Sequence, residues 1–219
     1  MTGYPIELDL RGRLALVVGL GSVGRRKAIG LLEAGARVIA VDPSELATRP
    51  NGVEHLAEGF RPEHLDGVSL AFAAATAEVN RRVVSEAKRR GIWVNAASEP
   101  ETGDFSVPAV WREGLVTLTA STSGAGPALA RTLVDRAAGS IGAAPAIAAL
   151  LAELRPMVIA RLDDPAARHR LLSGWGDAKW LDAWTSDDPD AVRSAWLDEL
   201  RAIEKADRGT ALHESPDLS

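Results

Sequence analysis

The sequence predicts an α/β fold: a doubly wound parallel sheet, then a small α+β segment and a helical C-terminal domain. Short apolar runs bounded by glycine alternate with helical patterns along the first half of the chain, which is typical of parallel strands joined by helices. Between residues 139 and 205 apolar residues recur at helical spacing, so that region is predicted to be wholly helical. The 219 residues are enough for one α/β domain and a smaller appendage.

The composition excludes several classes of protein. Hydrophobic residues make up 46% of the chain, so we expect a sizeable core, and the absence of cysteine excludes disulfides, thiolate metal sites and cysteine nucleophiles. Neither a signal-peptide pattern nor an apolar run long enough to span a bilayer is visible, and the net charge of −5 argues against nonspecific nucleic-acid binding. We therefore expect a cytoplasmic protein with no membrane and no nucleic acid among its partners.

The first apolar run, Leu14–Val18, ends in Gly19, Gly21 and Gly24, and a helical pattern follows at once. In a Rossmann-type dinucleotide site the first glycine makes the turn and the second lets the backbone approach a pyrophosphate. The third lets helix and strand pack closely, while free N–H groups at the helix start face the anion. This order predicts a dinucleotide site; the alternative is a Rossmann-like fold that holds no cofactor.

The second apolar run, Val38–Val41, ends in Asp42, about twenty residues beyond the glycines. A carboxylate there accepts hydrogen bonds from the adenosine ribose and repels a ribose phosphate, which favours NAD over NADP. A later strand ends in small residues, over which a nucleotide can lie. The residues predicted to contact NAD are Gly19, Gly21, Ser22, Val23, Gly24, Asp42, Pro43, Ala74, Ala75 and Thr76.

The remaining elements are predicted from the same two periodicities. In chain order they are a short strand at Val53–Leu56, a loop or single helical turn at Arg61–Gly67, a strand at Ser69–Ala75, a helix at Val79–Arg90, a strand at Ile92–Ala96, a polar loop at Ser98–Asp104, strands at Phe105–Val110 and Leu115–Ala120, and a helix from Ala128 to about Ala138. The segment Ser121–Pro127 places small hydroxyl residues before a helix start, which indicates either an anion site or a plain cap.

Apolar residues near the C-terminus, including Trp196 and Leu200, lie on one helix face and indicate a core or a dimer contact. We expect a homodimer formed through the region after Leu115, because this tail is too small to bury its own apolar faces. The predicted boundaries are 1–113 for the NAD-binding domain, 114–150 for a dimerisation segment, 151–205 for a helical domain and 206–219 for a disordered tail.

Three cations, Arg25, Arg26 and Lys27, follow the glycines in the first turn of the predicted helix. Cations there oppose the helix dipole, which indicates a bound anion, either the cofactor or a polyanionic substrate. For Arg25 or Arg26 taken singly, a solvated helix face is the alternative. The histidines are scattered along the chain, so no bound metal is predicted.

Several motifs, in their order and spacing, resemble one known family over about residues 4 to 203. They are the loop Gly-x-Gly-x-Val-x-x-Arg-Lys, Ala74–Thr76 followed by Asn80, Asn95, Asp104-Phe105 with Pro108, and Ser123–Arg131. The family is that of precorrin-2 dehydrogenase/sirohydrochlorin ferrochelatase, the N-terminal half of fused siroheme synthases. The methyltransferase half of those fused enzymes is not in this sequence, so that step is expected from another protein.

The resemblance implies a homodimeric oxidoreductase that oxidises precorrin-2 to sirohydrochlorin with NAD. This reaction belongs to the biosynthesis of siroheme, a porphyrin-type tetrapyrrole. Some members also insert Fe²⁺, a lyase step. Precorrin-2 carries several carboxylates, so the predicted substrate-binding residues include cations; they are Arg25, Arg26, Lys27, Asn95, Ser123 and Arg131. The alternatives are a relative that is a chelatase only, and a non-catalytic protein that binds NAD or a tetrapyrrole.

One departure from the family concerns the base that takes a proton from the substrate. The family's candidate is an aspartate three residues after the position of Asn95, and here that residue is Ser98. A serine hydroxyl is far too weak a base to replace a carboxylate. The candidate catalytic residues are therefore Ser98 by position and Glu99 or Asp104 by chemistry, although each acid alone fits a solvated loop residue.

Overall fold

The computed structural model of the protein describes residues 3–45, 49–184, 188 and 190–211, with side chains described to residue 206. The chain divides into two compact units. The first unit runs through Val107 and includes Ser123–Ala125; the second contains Pro108–Thr122 and the chain from Gly126 onward. The predicted boundary after residue 113 thus lies six residues beyond the observed division.

The first unit is built on a five-stranded sheet in the order β3-β2-β1-β4-β5, with every adjacent pair parallel. The strands are β1 (Leu14–Val18), β2 (Arg37–Val41), β3 (Val53–Leu56), β4 (Leu70–Ala73) and β5 (Trp93–Ala96). Two short 3₁₀ turns lie at Pro62–Leu65 and Pro100–Thr102. This architecture confirms the predicted α/β fold of Rossmann type.

The register of the sheet brings the carboxyl ends of four strands into one row. Val18 pairs with Val41 on one side and with Ala73 on the other, and Ala73 pairs with Ala96. The strand order reverses between β1 and β4, and in open α/β sheets ligands bind outside the carboxyl ends at such a switch point. The segments that follow Val18, Val41, Ala73 and Ala96 are therefore the place to look for a site.

Two helices cover opposite faces of this sheet. Helix α1 (Ser22–Glu33) contributes Ala28 and Leu31 to the cluster on one face, whereas α2 (Ala77–Arg89) contributes Val83 and Ala87 to the cluster on the other. Successive residues of β1 alternate between the two clusters, as the period of a strand buried on both faces requires.

The second unit begins with an antiparallel hairpin and continues in helices. Its elements are β6 (Ala109–Glu113), β7 (Val116–Ala120), α3 (Pro127–Ala138), α4 (Ala144–Arg161), α5 (Pro165–Trp175), α6 (Lys179–Ala183) and α7 (Asp190–Ala211). The strand predicted at Phe105–Val110 begins only at Ala109. Phe105 belongs to the first unit, where its ring packs edge-on against Phe72 with ring centroids 5.4 Å apart. The hairpin turns at Gly114, which has φ +54° and directly follows β6.

The helices of the second unit form their own hydrophobic core. Trp175 and Trp196 are fully buried and stack with ring centroids 4.7 Å apart, and Val192 and Leu200 pack in the same cluster. The expectation that this tail cannot bury its own apolar faces was therefore wrong. The predicted boundary at residue 150 falls inside α4.

The C-terminal end of the helical region also differs from prediction. Helix α7 continues to Ala211, six residues past the predicted end at 205, and residues 212–219 of the predicted tail lie outside the described residues. Within the described part of the chain, no helix is both long and apolar enough to cross a membrane.

Candidate functional site

The three glycines after β1 have three different surroundings. Gly19 has φ +93°, and a Cβ there would lie 2.5 Å from the carbonyl oxygen of Ala74. A Cβ on Gly24 would lie 1.8 Å from the carbonyl oxygen of Gly19, so helix α1 packs directly on the turn. A Cβ on Gly21 would meet nothing within 4 Å. Two glycines are thus required by the fold, and the third leaves open space in front of the backbone.

The N-terminus of α1 faces this open space without a side-chain cap. Gly21 is the N-cap residue and, being glycine, has no side chain to accept a hydrogen bond from the first turn. Ser22 and Val23 follow in the first turn and are exposed. Backbone N–H groups at such a terminus bind anions, because the first turn has no carbonyl partners for them.

Asp42, at the end of β2, holds the glycine loop. Its Oδ2 accepts a hydrogen bond from Leu20 N at 2.7 Å, and its Oδ1 accepts from Ser44 N at 2.9 Å and Ser44 Oγ at 2.6 Å. A carboxylate has about four acceptor positions, so one on Oδ2 is left for a further donor. Pro43 follows and is exposed.

The ionisation of Asp42 is favoured by these contacts. Partial burial raises the pKa of Asp42, but hydrogen bonds from Leu20 and Ser44, with the charge interaction of His55, outweigh burial and leave that pKa below its usual value. The His55 ring packs beside it, with Nε2 3.0 Å from the Asp42 carbonyl oxygen. A negative charge is therefore fixed at the end of β2.

The three predicted cations of α1 are not equivalent. Arg25 Nε donates to the carbonyl oxygen of Leu20 at 3.2 Å and so braces the glycine loop. Lys27 is half-buried with its Nζ 5.8 Å from the Phe72 ring centroid, and burial, with the neighbouring charge of Arg26, lowers the pKa of Lys27. Arg26 is exposed. The structure does not gather the three into one cluster of exposed cations.

The segment after β4 is held by a buried side chain. Asn80, which is 3% exposed, accepts from Ala75 N at 2.9 Å through Oδ1 and donates to Ala75 O at 3.2 Å through Nδ2. The same Nδ2 donates to Ser98 Oγ at 2.9 Å. Thr76 is the N-cap of α2, where its hydroxyl accepts from Val79 N at 3.4 Å.

The two candidate acids of the loop after β5 have different partners. Glu99 directly follows Ser98, and its Oε1 lies 3.0 Å from Arg81 Nη1. Asp104 accepts from Val94 N at 3.0 Å, and its other oxygen lies 3.6 Å from Lys88 Nζ. Asp104 therefore pairs a backbone N–H on the edge strand β5, whereas Glu99 pairs with an exposed arginine side chain.

Three predicted substrate-binding residues are engaged elsewhere or lie on a turn. Asn95 is buried, and its Nδ2 donates to Phe105 O at 2.9 Å. Arg131 pairs with Asp135 along α3 and donates to Val110 O at 3.0 Å. Ser123 has φ +51°, a left-handed conformation that is uncommon for a residue other than glycine.

The motif Ala74–Thr76 with Asn80 contributes to the family resemblance, but the sequence does not predict the contacts of the Asn80 side chain. Asn80 links the segments that follow β4 and β5. The signal was a polar residue on the buried face of a helix, next to Val83 and Val84 in the pattern. In the described residues no group of histidine and acidic side chains could hold a metal ion. The glycine loop and the start of α1 can therefore bind an anionic dinucleotide, and the described residues form no metal-binding site.

Comparison with known proteins agrees with this geometry. Residues 6–109 match the family model described as putative NAD(P)-binding. Siroheme synthase of Chromobacterium violaceum is 35% identical over 221 residues, covering 97% of this chain and 47% of that protein. Siroheme synthase of Methylobacillus flagellatus is 39% identical over 176 residues, covering 77% of this chain and 38% of that protein.

A solved structure is similar over both units. The structure titled SirC, precorrin-2 dehydrogenase, is 25% identical, has a TM-score of 0.68 and covers 93% of this chain and 100% of that one. The chain spans less than half the length of the two siroheme synthases. The family match over residues 6–109 and this structure support the predicted NAD cofactor.

Proposed function

The chain belongs to the precorrin-2 dehydrogenase family, which it shares with siroheme synthases, and from this premise we propose that it oxidises precorrin-2 to sirohydrochlorin with NAD in siroheme biosynthesis. The observation that carries the proposal is the similarity to a precorrin-2 dehydrogenase structure along that structure's whole length. The reaction removes two electrons and two protons from the tetrapyrrole: one hydrogen leaves as hydride and the other as a proton.

The residues at the switch point fit NAD. Gly21 and the uncapped start of α1 would bind the pyrophosphate, and the remaining acceptor position of Asp42 would bind a ribose hydroxyl. Ala74 and Ala75 offer a small, half-buried surface for the nicotinamide end. When bound, NAD supplies the hydride acceptor.

We assign the proton acceptor to Glu99 rather than to Asp104. One oxygen of the Asp104 carboxylate accepts from Val94 N of β5 and the other lies beside Lys88, so protonating Asp104 would remove a favourable charge interaction and moving it would break the contact with β5. Glu99 is adjacent to Ser98, the position of the family's base, and its partner Arg81 is an exposed side chain that can yield to a ligand. A carboxylate one residue away is the nearest chemical substitute for the missing aspartate.

Further parts of the proposal concern assembly, metal insertion and location. Leu115, Leu129 and Leu133 are 65%, 56% and 47% exposed, and they lie on the hairpin turn and on α3, whose buried face uses Ala130 and Val134. We propose that these leucines form a homodimer interface. Fe²⁺ insertion into sirohydrochlorin is placed second to oxidation, because the similar solved structure that covers 93% of this chain is titled a precorrin-2 dehydrogenase. A cytoplasmic location suits a chain without cysteine.

The test is anaerobic incubation of the purified protein with enzymatically prepared precorrin-2 and NAD, followed by NADH absorbance and by the spectrum of sirohydrochlorin. We expect both products to appear together, and NADP to be a poorer oxidant. Metal insertion is measured separately with sirohydrochlorin and Fe²⁺ in the absence of NAD. Metal insertion without NADH formation would favour the chelatase alternative, and NAD binding without either product would favour a binding protein.

A further inference from the structure

The side-chain amide of Asn80 lies where β4 and β5 end. Asn80 is one of two polar residues that are buried in the described structure, at 3% exposed, and it projects from the first turn of α2. Burying an amide is unfavourable unless its donors and acceptors are paired. Here the amide has three hydrogen bonds, two with Ala75 and one with Ser98. These hydrogen bonds explain how the Asn80 amide can be buried: it links the segment after β4 to the segment after β5.

The hydrogen-bond pattern fixes which way the Asn80 amide points. A backbone N–H can only donate and a backbone carbonyl can only accept, so the pair of bonds with Ala75 requires Oδ1 toward the N–H and Nδ2 toward the carbonyl. The second hydrogen of Nδ2 then points at Ser98 Oγ. At this contact the serine oxygen can only be the acceptor.

That constraint determines what the Ser98 hydroxyl can do. Ser98 is exposed, and its oxygen accepts from Asn80, so its own hydrogen is left to donate outward. Ala73 and Ala96 pair in the sheet, so the segments carrying Ala75 and Ser98 leave it side by side. A hydroxyl fixed in this way supplies a hydrogen-bond donor at the edge of the sheet where ligands bind.

We propose that Asn80 is a positioning residue that ties Ala75 to Ser98 and holds the Ser98 hydroxyl as a hydrogen-bond donor to an oxygen of the bound ligand. The proposal rests on the function proposed above and adds a role for Ser98 other than that of a base. The acceptor is a carbonyl or carboxylate oxygen, and two ligands offer one: the carboxamide of NAD and the carboxylates of the tetrapyrrole. Binding experiments separate these two sources.

The experiment measures dissociation constants for NAD and for sirohydrochlorin, each alone, in the wild-type chain and in Ser98→Ala, Asn80→Ala and the double variant. Loss of one hydrogen bond to a ligand is expected to weaken binding about tenfold. Weaker NAD binding in Ser98→Ala would identify the carboxamide as acceptor, and weaker sirohydrochlorin binding would identify a carboxylate. Because Asn80 acts partly through Ser98, the double variant should lose less than the product of the two single losses.

Val84→Ala is the matched control, because Val84 is buried on the same helix and is not hydrogen-bonded to Ala75 or Ser98. It should lower stability while leaving both dissociation constants unchanged. Ser98→Ala changes an exposed residue and should fold even if Asn80→Ala does not. Unchanged affinity for both ligands in Ser98→Ala, or fully multiplicative losses in the double variant, would overturn the proposal. Failure of the proposed function is a separate result, namely a wild-type chain that forms no NADH.

Discussion

The carboxylate of Asp42, just after β2, accepts a hydrogen bond at 2.7 Å from the backbone N–H of Leu20, just after the neighbouring strand β1. The end of β2 therefore holds the glycine loop after β1 in shape through a contact within the protein itself. The same carboxylate has one acceptor position left and a pKa below its usual value. One side chain thus shapes the loop and presents charge to the predicted ribose position.

Replacement of Asp42 by alanine should weaken NAD binding and narrow the preference for NAD over NADP. The ribose loses a charge-assisted acceptor and the loop loses its anchor, so we expect about a tenfold or larger rise in the NAD dissociation constant. NADP should lose less, because the repulsion of its phosphate is removed as well. Calorimetric titration of both cofactors measures this, and equal affinities in the wild-type chain would contradict the assignment.

Asp42 also makes stability depend on pH. Because its pKa is lowered in the folded chain, its hydrogen bonds stabilise the fold above about pH 4, the unfolded value, and that contribution is lost as the pH falls through the folded value. Urea unfolding at several pH values should therefore show a shallower acid loss for Asp42→Asn. Asp163→Asn, at an exposed aspartate, should keep the wild-type slope.

Gly21 and Gly24 should respond differently to alanine. In Gly24→Ala the new Cβ would meet the Gly19 carbonyl oxygen, so we expect a loss of about 3 kcal/mol or more in the free energy of unfolding. In Gly21→Ala the Cβ enters open space, and loss of a favourable N-cap glycine should cost under about 1 kcal/mol.

NAD affinity completes this comparison. Gly21→Ala should weaken NAD binding strongly while remaining folded, because the methyl group occupies the space proposed for the pyrophosphate. Denaturant unfolding and calorimetry on the same samples separate the two effects. A Gly21→Ala variant that binds NAD as well as the wild type would place the pyrophosphate elsewhere.

The sequence predicted the sheet and the glycine loop because both are encoded locally. Apolar runs of strand length specify β1 and β2, and the glycine spacing specifies the turn between β1 and α1. The role of Asp104 could not be predicted, since its contact with Val94 depends on how the loop returns along β5. The position of Phe105 is likewise set by a tertiary contact with Phe72.

In the helical region, too, the sequence predicts local structure but not tertiary contacts. The spacing of Trp196 and Leu200 correctly indicated a buried face, but periodicity does not say whether the covering surface belongs to the same chain. Here Trp175 of α5 covers it. Local sequence thus gives the face of a helix that is buried, and only the fold gives its partner.

Assembly should depend on α3 rather than on the tryptophans. Leu133→Lys places a charge on the exposed face of α3 and should convert a dimer into a monomer with little change in stability, because Leu133 is 47% exposed. Light scattering at micromolar concentration measures the mass. Ile29→Lys is the matched control, since Ile29 is 46% exposed on α1 of the first unit, and it should leave the mass unchanged. A wild-type monomer would remove the dimer proposal.

The base provides the last prediction. Ser98→Asp restores a carboxylate at the position of the family's aspartate, where Asn80 Nδ2 already points at the side-chain oxygen. A positioned general base typically contributes about 10²–10⁴-fold, so even partial restoration should raise kcat measurably. In the unmodified chain Glu99→Gln should lower kcat, because Glu99 is the assigned proton acceptor. Asp104→Asn should leave kcat largely unchanged, because the amide Oδ1 can still accept from Val94 N and only the charge interaction with Lys88 is lost.

Glu101→Gln is the matched control for these three variants, since Glu101 is an exposed acid of the same loop. Initial rates of NADH formation and urea unfolding on each variant separate catalysis from folding. If Asp104→Asn loses more kcat than Glu99→Gln at equal stability, Asp104 is the base and our assignment is reversed. If the wild-type enzyme is fast and neither change slows it, no carboxylate of this loop takes the proton. The proton must then leave to water or to a carboxylate of the substrate itself, and Ser98→Asp would bring no gain.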